Sequence, residues 1–274
     1  MNELIINVFL TIQGIAAASG LIYKDNAIHV ISDNSKLLYT YSIPQDKLTT
    51  TTLLSGNVLE NIPKKEKSDF EAITAIDGQL YVFGSGSAKN RNTLVKYNAK
   101  QGTKDSVDLG QVYEKLKADH SVAEQDFNIE GAVYYRDELW LFNRGNGPAK
   151  QNGVFILDKQ TLAGKAFFHV SLPELEGVST GFTDATLVDG KIYFIAAAED
   201  SNSSYHDGEV KGTLIGRLDP KSRIVEYTKT LALGHKFEGI APYRKTKKAI
   251  QFLLCEDPDN ENNTSTIYKV EVKR

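Results

Sequence analysis

Phe237-Glu238-Gly239-Ile240 decides the fold, because the chain repeats its pattern five times. The other copies are Ala18-Ser19-Gly20-Leu21, Phe70-Glu71-Ala72-Ile73, Ile129-Glu130-Gly131-Ala132 and Phe182-Thr183-Asp184-Ala185. The first residue of each copy is apolar. The second, position zero below, carries an oxygen: Ser19, Glu71, Glu130, Thr183 or Glu238. The third is Gly or Ala except at Asp184. The copies follow one another at intervals of a little over fifty residues, the signature of a repeat architecture.

Each copy opens a run of short strands. Second strands are expected over 27–31, 80–83, 139–143, 192–196 and 249–254, and third strands over 37–42, 93–98, 153–158, 214–219 and 266–270. Fourth strands are clearest over 165–170 and 224–231. Aromatic and β-branched residues dominate these runs, and Asp77-Gly78 and Asp189-Gly190 read as hairpin turns. One helical stretch, 112–123, sits in a long insert between the second and third copies. Four strands per repeat at this period describe a propeller blade. The fifth copy runs out after its third strand, and the strand expected over 3–11 has no blade of its own. Pairing the two closes the ring and removes two exposed edges. The expected architecture is an all-β, single-domain, five-bladed β-propeller over 1–274.

Composition agrees with a globular chain: of 274 residues, 41% are hydrophobic and 24% charged. A net charge of -3 and the lack of a long basic block argue against nucleic acid or an anionic membrane as partner. The single cysteine, Cys255, rules out an intrachain disulfide framework. Residues 4–22 are apolar enough to suggest a leader, but Glu3 stands where a basic flank belongs. The expectation is a soluble cytoplasmic chain, or a periplasmic or secreted one if a leader precedes it.

In a propeller the innermost strand of each blade lines a central channel. Position zero begins that strand, so five equivalent residues meet at one depth. Glu71, Glu130 and Glu238 repel one another there unless protonated or neutralised. Together with Ser19 and Thr183 they form an all-oxygen donor set that suits Ca²⁺, with Mg²⁺ as the alternative. Asp184 competes with Thr183 for the fourth place. The other reading is that each Glu caps backbone amides near the channel.

The second strand returns to the face where the first began, so the residues after it surround the channel mouth. They include Asp33, the 84–91 loop with Lys89 and Arg91, Arg144 in the 143–147 loop, Glu199-Asp200 and Glu256-Asp257. A metal ion with arginines and carboxylates is equipment for a small anionic ligand such as a phosphate. In that role Arg91, Arg144 and Lys89 hold the anion, and Asp33 or Glu199 orients an attacking water. The competing reading is a solvated loop rim. Asp257 to Glu261 resembles the start of an EF-hand loop but lacks its glycine and its final Glu. No phosphate loop, nucleophile elbow or zinc motif occurs, and the five histidines, including His206 and His235, show no ligand spacing.

The order Ser19, Glu71, Glu130, Thr183, Glu238 resembles the ring of the soluble calcium-activated nucleotidases (apyrases). The matching stretches are Ser19-Gly20-Leu21 with Ile28-His29-Val30-Ile31-Ser32-Asp33, Gly181-Phe182-Thr183, and Lys236-Phe237-Glu238-Gly239-Ile240. The resemblance implies a five-bladed propeller with one axial Ca²⁺ and phosphoanhydride hydrolysis. Asn34-Ser35-Lys36 replaces the family's Asp-Arg-Thr-Gly pattern after Asp33, one arginine stands at 144 where that family has two, and Gly84-Ser85-Gly86-Ser87 lacks its Lys-Glu-Trp. The repeats also look like uncharacterised bacterial propellers related to esterase-like phytases. Two functions are expected: a metal-dependent hydrolase of phosphorylated small molecules, or a non-catalytic ligand-binding or scaffold propeller with a structural ion. Sugar or lactone chemistry is a third, weaker fit.

Overall fold

The structure, a computed structural model, describes residues 4–200, 208–256 and 263–274. Strand β1 (Ile6–Gln13) precedes the first blade, β2 (Ala18–Lys24), β3 (Ala27–Ser32), β4 (Leu37–Ser42) and β5 (Lys47–Thr52). The second blade is β6 (Phe70–Ile76), β7 (Gln79–Gly84), β8 (Thr93–Asn98) and β9 (Thr103–Asp108), followed by helix α1 (Gly110–His120). The third is β10 (Ile129–Tyr135), β11 (Glu138–Asn143), β12 (Gly153–Asp158) and β13 (Gly164–His169). The fourth is β14 (Thr180–Val188), β15 (Lys191–Asp200), β16 (Glu209–Asp219) and β17 (Ile224–Leu233). The fifth takes β18 (Phe237–Lys245), β19 (Ala249–Glu256) and β20 (Thr264–Lys273) and completes itself with β1, which pairs antiparallel to β20. The five-bladed ring and its closure by the first strand are as the repeats predict.

Hairpin chemistry sets the turn between first and second strands. Asp77-Gly78 and Asp189-Gly190 both take two consecutive positive φ angles, the type I′ pattern. Asp25-Asn26 and Arg136-Asp137 do the same without glycine. Three of those four residues are Asp or Asn, which tolerate the left-handed region best among side-chain-bearing residues.

The core lies between blades. Along β11, Leu139 and Leu141 face the second blade, where they meet Phe83 and Leu94. Trp140 and Phe142, on the other face, meet Phe182 and Phe194 of the fourth blade. Strand alternation thus feeds two cores from one strand. Similar layers join blades four and five, five and one, and one and two. Helix α1 covers the layer between blades two and three with Tyr113 and Leu116. Several strands run longer than their sequence pattern predicts, notably β15 to Asp200 and β20 to Lys273. The outer strands β5 and β9 are polar and partly exposed, so they carry little hydrophobic signal. Among the described residues no helix is long and apolar enough to cross a membrane.

Candidate functional site: a charged ring on the propeller axis

Every inner strand carries a bulge at position zero. The pairing with the second strand skips between Ala18 and Gly20, Phe70 and Ala72, Ile129 and Gly131, Phe182 and Asp184, and Phe237 and Gly239. The skipped residues are Ser19, Glu71, Glu130, Thr183 and Glu238. A bulge re-aims a side chain and commonly does so beside functional sites. The fourth blade places Thr183, not Asp184, in the equivalent position.

Asp184 does a different job. It occupies the small-residue position, where adjacent inner strands come close. A side chain at Gly131 would come within 3.1 Å of the Asp184 Cα, and one at Gly239 within 3.0 Å of the Gly20 Cα. The Asp184 carboxylate instead accepts from the backbone amides of Ala185 (2.7 Å) and Ile240 (2.8 Å), stitching blade four to blade five. Burial raises its carboxyl well above the ordinary carboxylate range.

The two hydroxyls of the ring are engaged in the same way. Ser19 Oγ donates to the Phe70 carbonyl at 2.5 Å, and Thr183 Oγ1 to the Phe237 carbonyl at 2.7 Å. Each bond joins one blade to the next. The lone pairs of these oxygens are what they retain for a cation.

The three glutamates share the axis. Burial, then the charges of Asp69, Glu130, Asp33 and Glu238, push the Glu71 carboxyl well up. Glu130 accepts from Asn128 Nδ2 (2.6 Å) and Arg144 Nη1 (3.3 Å). Glu238 pairs with Lys236 Nζ at 2.9 Å. Arg144 Nη2 reaches Glu199 at 2.6 Å, and Lys236 reaches the same carboxylate oxygen at 3.3 Å. The Gly208 amide holds the other Glu199 oxygen at 2.7 Å. Burial alone would raise Glu199, but Arg144, Lys236 and that amide win and bring it down to about 2.

On the opposite side of the axis Lys67 pairs with both Asp33 and Asp69. Arg91 Nη1 also holds Asp69, at 2.8 Å, and its Nη2 donates to the Lys64 carbonyl. Asp33, Asp69 and Glu71 each offer an oxygen, all within 4.8 Å of one another. Asp33 Oδ1 is buried with no hydrogen-bond partner, and no described residue donates a hydrogen bond to Glu71. Among the described residues six carboxylates (Asp33, Asp69, Glu71, Glu130, Glu199, Glu238) meet four cations (Lys67, Arg91, Arg144, Lys236), a formal surplus of two negative charges that, with burial, pushes the Glu71 carboxyl up. That surplus, an orphaned buried carboxylate oxygen and an all-oxygen donor set fit a hard divalent cation.

The predicted anion-binding residues do not assemble as one group. Arg91 is 3% exposed and turned onto Asp69. Lys89, on the short 3-10 turn just before it, is exposed at the rim of blade two. Arg144 alone opens onto a cleft, of about 210 Å³, between blades three and four; Glu199, Asn146 and Ser179 also line it. Asp257, Glu261 and His206 lie outside the described residues. His235 stands apart, its Nδ1 2.7 Å from Glu256.

The sequence pattern did not single out Lys67, Asp69 or Lys236. Asp69, Asn128 and Lys236 all precede position zero by two residues, in the segments that lead into the inner strands. Lys236 was part of a quoted motif without receiving a role. Lys67 is four residues ahead of Glu71, in a loop, where no periodicity marks it.

Fold and site together define a five-bladed β-propeller with a buried, carboxylate-rich axis. The family model for a family of unknown function, DUF6929, matches residues 14–272. The chain belongs to that family. No curated protein matches it in sequence. Among solved structures it is similar to the glutaminyl cyclase of Myxococcus xanthus, at 11% identity and a TM-score of 0.58, covering 99% of this chain and 98% of that one. It is also similar to the major allergen Mala s 1 of Malassezia sympodialis, at 9% identity and a TM-score of 0.60, with 95% of each chain covered. A luciferin-regenerating enzyme matches at 11% identity and a TM-score of 0.50, over 98% of this chain and 95% of that one. At these identities the likeness is one of fold.

Proposed function

We propose that this protein is a calcium-binding propeller that takes a small anionic molecule at its charged face. One observation carries the reading: among the described residues the axial carboxylates outnumber their cationic partners by two, and Asp33 Oδ1, close to oxygens of Asp69 and Glu71, is buried without a hydrogen-bond partner. A bound divalent ion would bring the axis to neutrality. The ligand set this supports is Asp33, Asp69 and Glu71, with Glu130 and Glu238 facing them. Ser19 and Thr183, committed to neighbouring carbonyls, contribute less.

The resemblance to apyrases and esterase-like phytases extends the reading to hydrolysis of a phosphorylated small molecule, with the ion and Arg144 neutralising phosphate oxygens. The non-catalytic alternative has a specific observation behind it. Glu199 is held ionised by Arg144, Lys236 and the Gly208 amide, and Asp33 is paired with Lys67. Glu199 is therefore a poor proton acceptor, while burial raises the Asp33 carboxyl despite Lys67; with one of the two candidates disabled, the binding function is the better supported half. Calcium should raise the melting temperature over that in chelator, and phosphate release from a panel of phosphorylated small molecules should vanish on chelation. A calcium-dependent shift without turnover selects the binding reading. No shift at all rejects both.

A further inference from the structure

The cleft between blades three and four assigns a place and a size to the anion. We propose that it binds a compact oxyanion, a phosphate monoester or a carboxylate, against Arg144. This deepens the binding reading above and rests on it for function, though the cleft itself does not need the axial ion.

Arg144 is a fixed wall of this cleft. Its guanidinium is clamped between Glu130 and Glu199, and its stem passes Gly181, where an added Cβ would lie 2.8 Å from the arginine Cγ. The loop behind it is equally constrained. Asn143 Nδ2 donates to the carbonyls of Asp126 and Gln151, and the Asp126 carboxylate accepts the amides of Ala149 and Gln151. Gly145 has φ +58°, and a side chain there would run into Gln151 and Asn152. A guanidinium carries five N–H groups, of which these ion pairs use two, and the 6%-exposed Arg144 side chain belongs to a residue lining the cleft.

The rest of the lining is suited to an anion. Lys150 and His169 are exposed at the mouth, beside the hydroxyls of Ser171 and Ser179. Among the described lining residues the one acid, Glu199, is already surrounded by two cations and an amide and offers no site for an ammonium group. The volume is limiting. At about 210 Å³ it falls below the ~300–1,000 Å³ typical of pockets that bury drug-sized ligands, which suits a compact ligand.

The test is an amide-shift titration of the full chain, in chelator, with inorganic phosphate, with acetate and with choline as a cation control. Phosphate should give saturable shifts confined to the amides around Gly145, Asn146, Ser179 and Gly181. Choline should give none. Ser179 is exposed, so Ser179→Glu should leave the melting temperature unchanged and weaken phosphate at least tenfold. Phosphate binding more tightly than acetate marks a phosphate ester as the ligand, and the reverse marks a carboxylate. Absence of saturable shifts, or binding that Ser179→Glu leaves intact, overturns the proposal. Calcium binding without phosphate binding leaves the axial reading standing and sinks this one. Phosphate binding without calcium binding does the opposite.

Discussion

Replacing Glu71 by Gln separates the axial charge from the axial shape. Glutamine keeps the size of the side chain and removes one negative charge from a carboxyl that no described residue neutralises by a direct bond. At the 4.8 Å limit separating the candidate oxygens, two like charges repel by about 3.5 kcal/mol at an effective dielectric near 20. Lys67, bridging Asp33 and Asp69, offsets most of this, and solvent reaching the half-buried Glu71 screens more. At a pH high enough to ionise Glu71, a net gain of about 1–2 kcal/mol in chelator follows, or about 2–8 °C in melting temperature at the ~2–4 °C per kcal/mol of a chain this size. In calcium the sign reverses. A ligand at a hundred times its dissociation constant stabilises the native state by about 2.7 kcal/mol, and Glu71→Gln should lose most of that. Scanning calorimetry of wild type and variant, each with calcium and with chelator, reads all four values. A variant less stable than wild type in chelator, or one that keeps the full calcium shift, refutes the reasoning.

Lys236→Met removes the cation shared by Glu199 and Glu238, both buried, and should cost about 3–5 kcal/mol in chelator; calcium should recover part of the loss, because the axis gains a negative charge. Denaturant unfolding with and without calcium measures both effects. Thr183→Val leaves the buried Phe237 carbonyl without its donor and should cost about 1–3 kcal/mol, with the calcium-dependent shift in melting temperature preserved. Acid titration should show the Glu199 clamp outlasting most carboxylate contacts. With its folded pKa depressed to about 2, its contribution is complete above the ordinary glutamate range and is lost only as pH falls toward that value. A carboxyl NMR titration that finds Glu199 protonating near pH 4.5 contradicts this.

Much of the fold was legible because the repeated motif has a geometric cause. Position zero is the bulged residue in all five blades, and the small residue after it is where neighbouring inner strands nearly touch. Both leave a mark on the sequence at fixed spacing. The outer strands β5 and β9 were not legible, since Thr-rich and charged segments on a blade's edge bury too little to show alternation. The site was half legible. Glu71, Glu130 and Glu238 stand at the same bulge of their blades, the charges of the last two act on Glu71, and Asp33 and Arg144 arrive from the second-strand exits. The counter-charges did not show. Lys67 comes from a loop, and Arg91 reaches Asp69 from the far end of another. Pairing between residues brought together by loops has no period to detect. Nor does residue type reveal that Arg91 is spent on Asp69 while Arg144 lines a cleft.

The axial surplus of negative charge is tested most directly by counting metal. The purified protein, dialysed against calcium and then against metal-free buffer, should retain one calcium ion per chain by elemental analysis and release it to a strong chelator with a fall in melting temperature. A chain that comes through dialysis without calcium, and melts at the same temperature in calcium as in chelator, would show that Lys67, Lys236, Arg91, Arg144 and bound protons alone balance the axis.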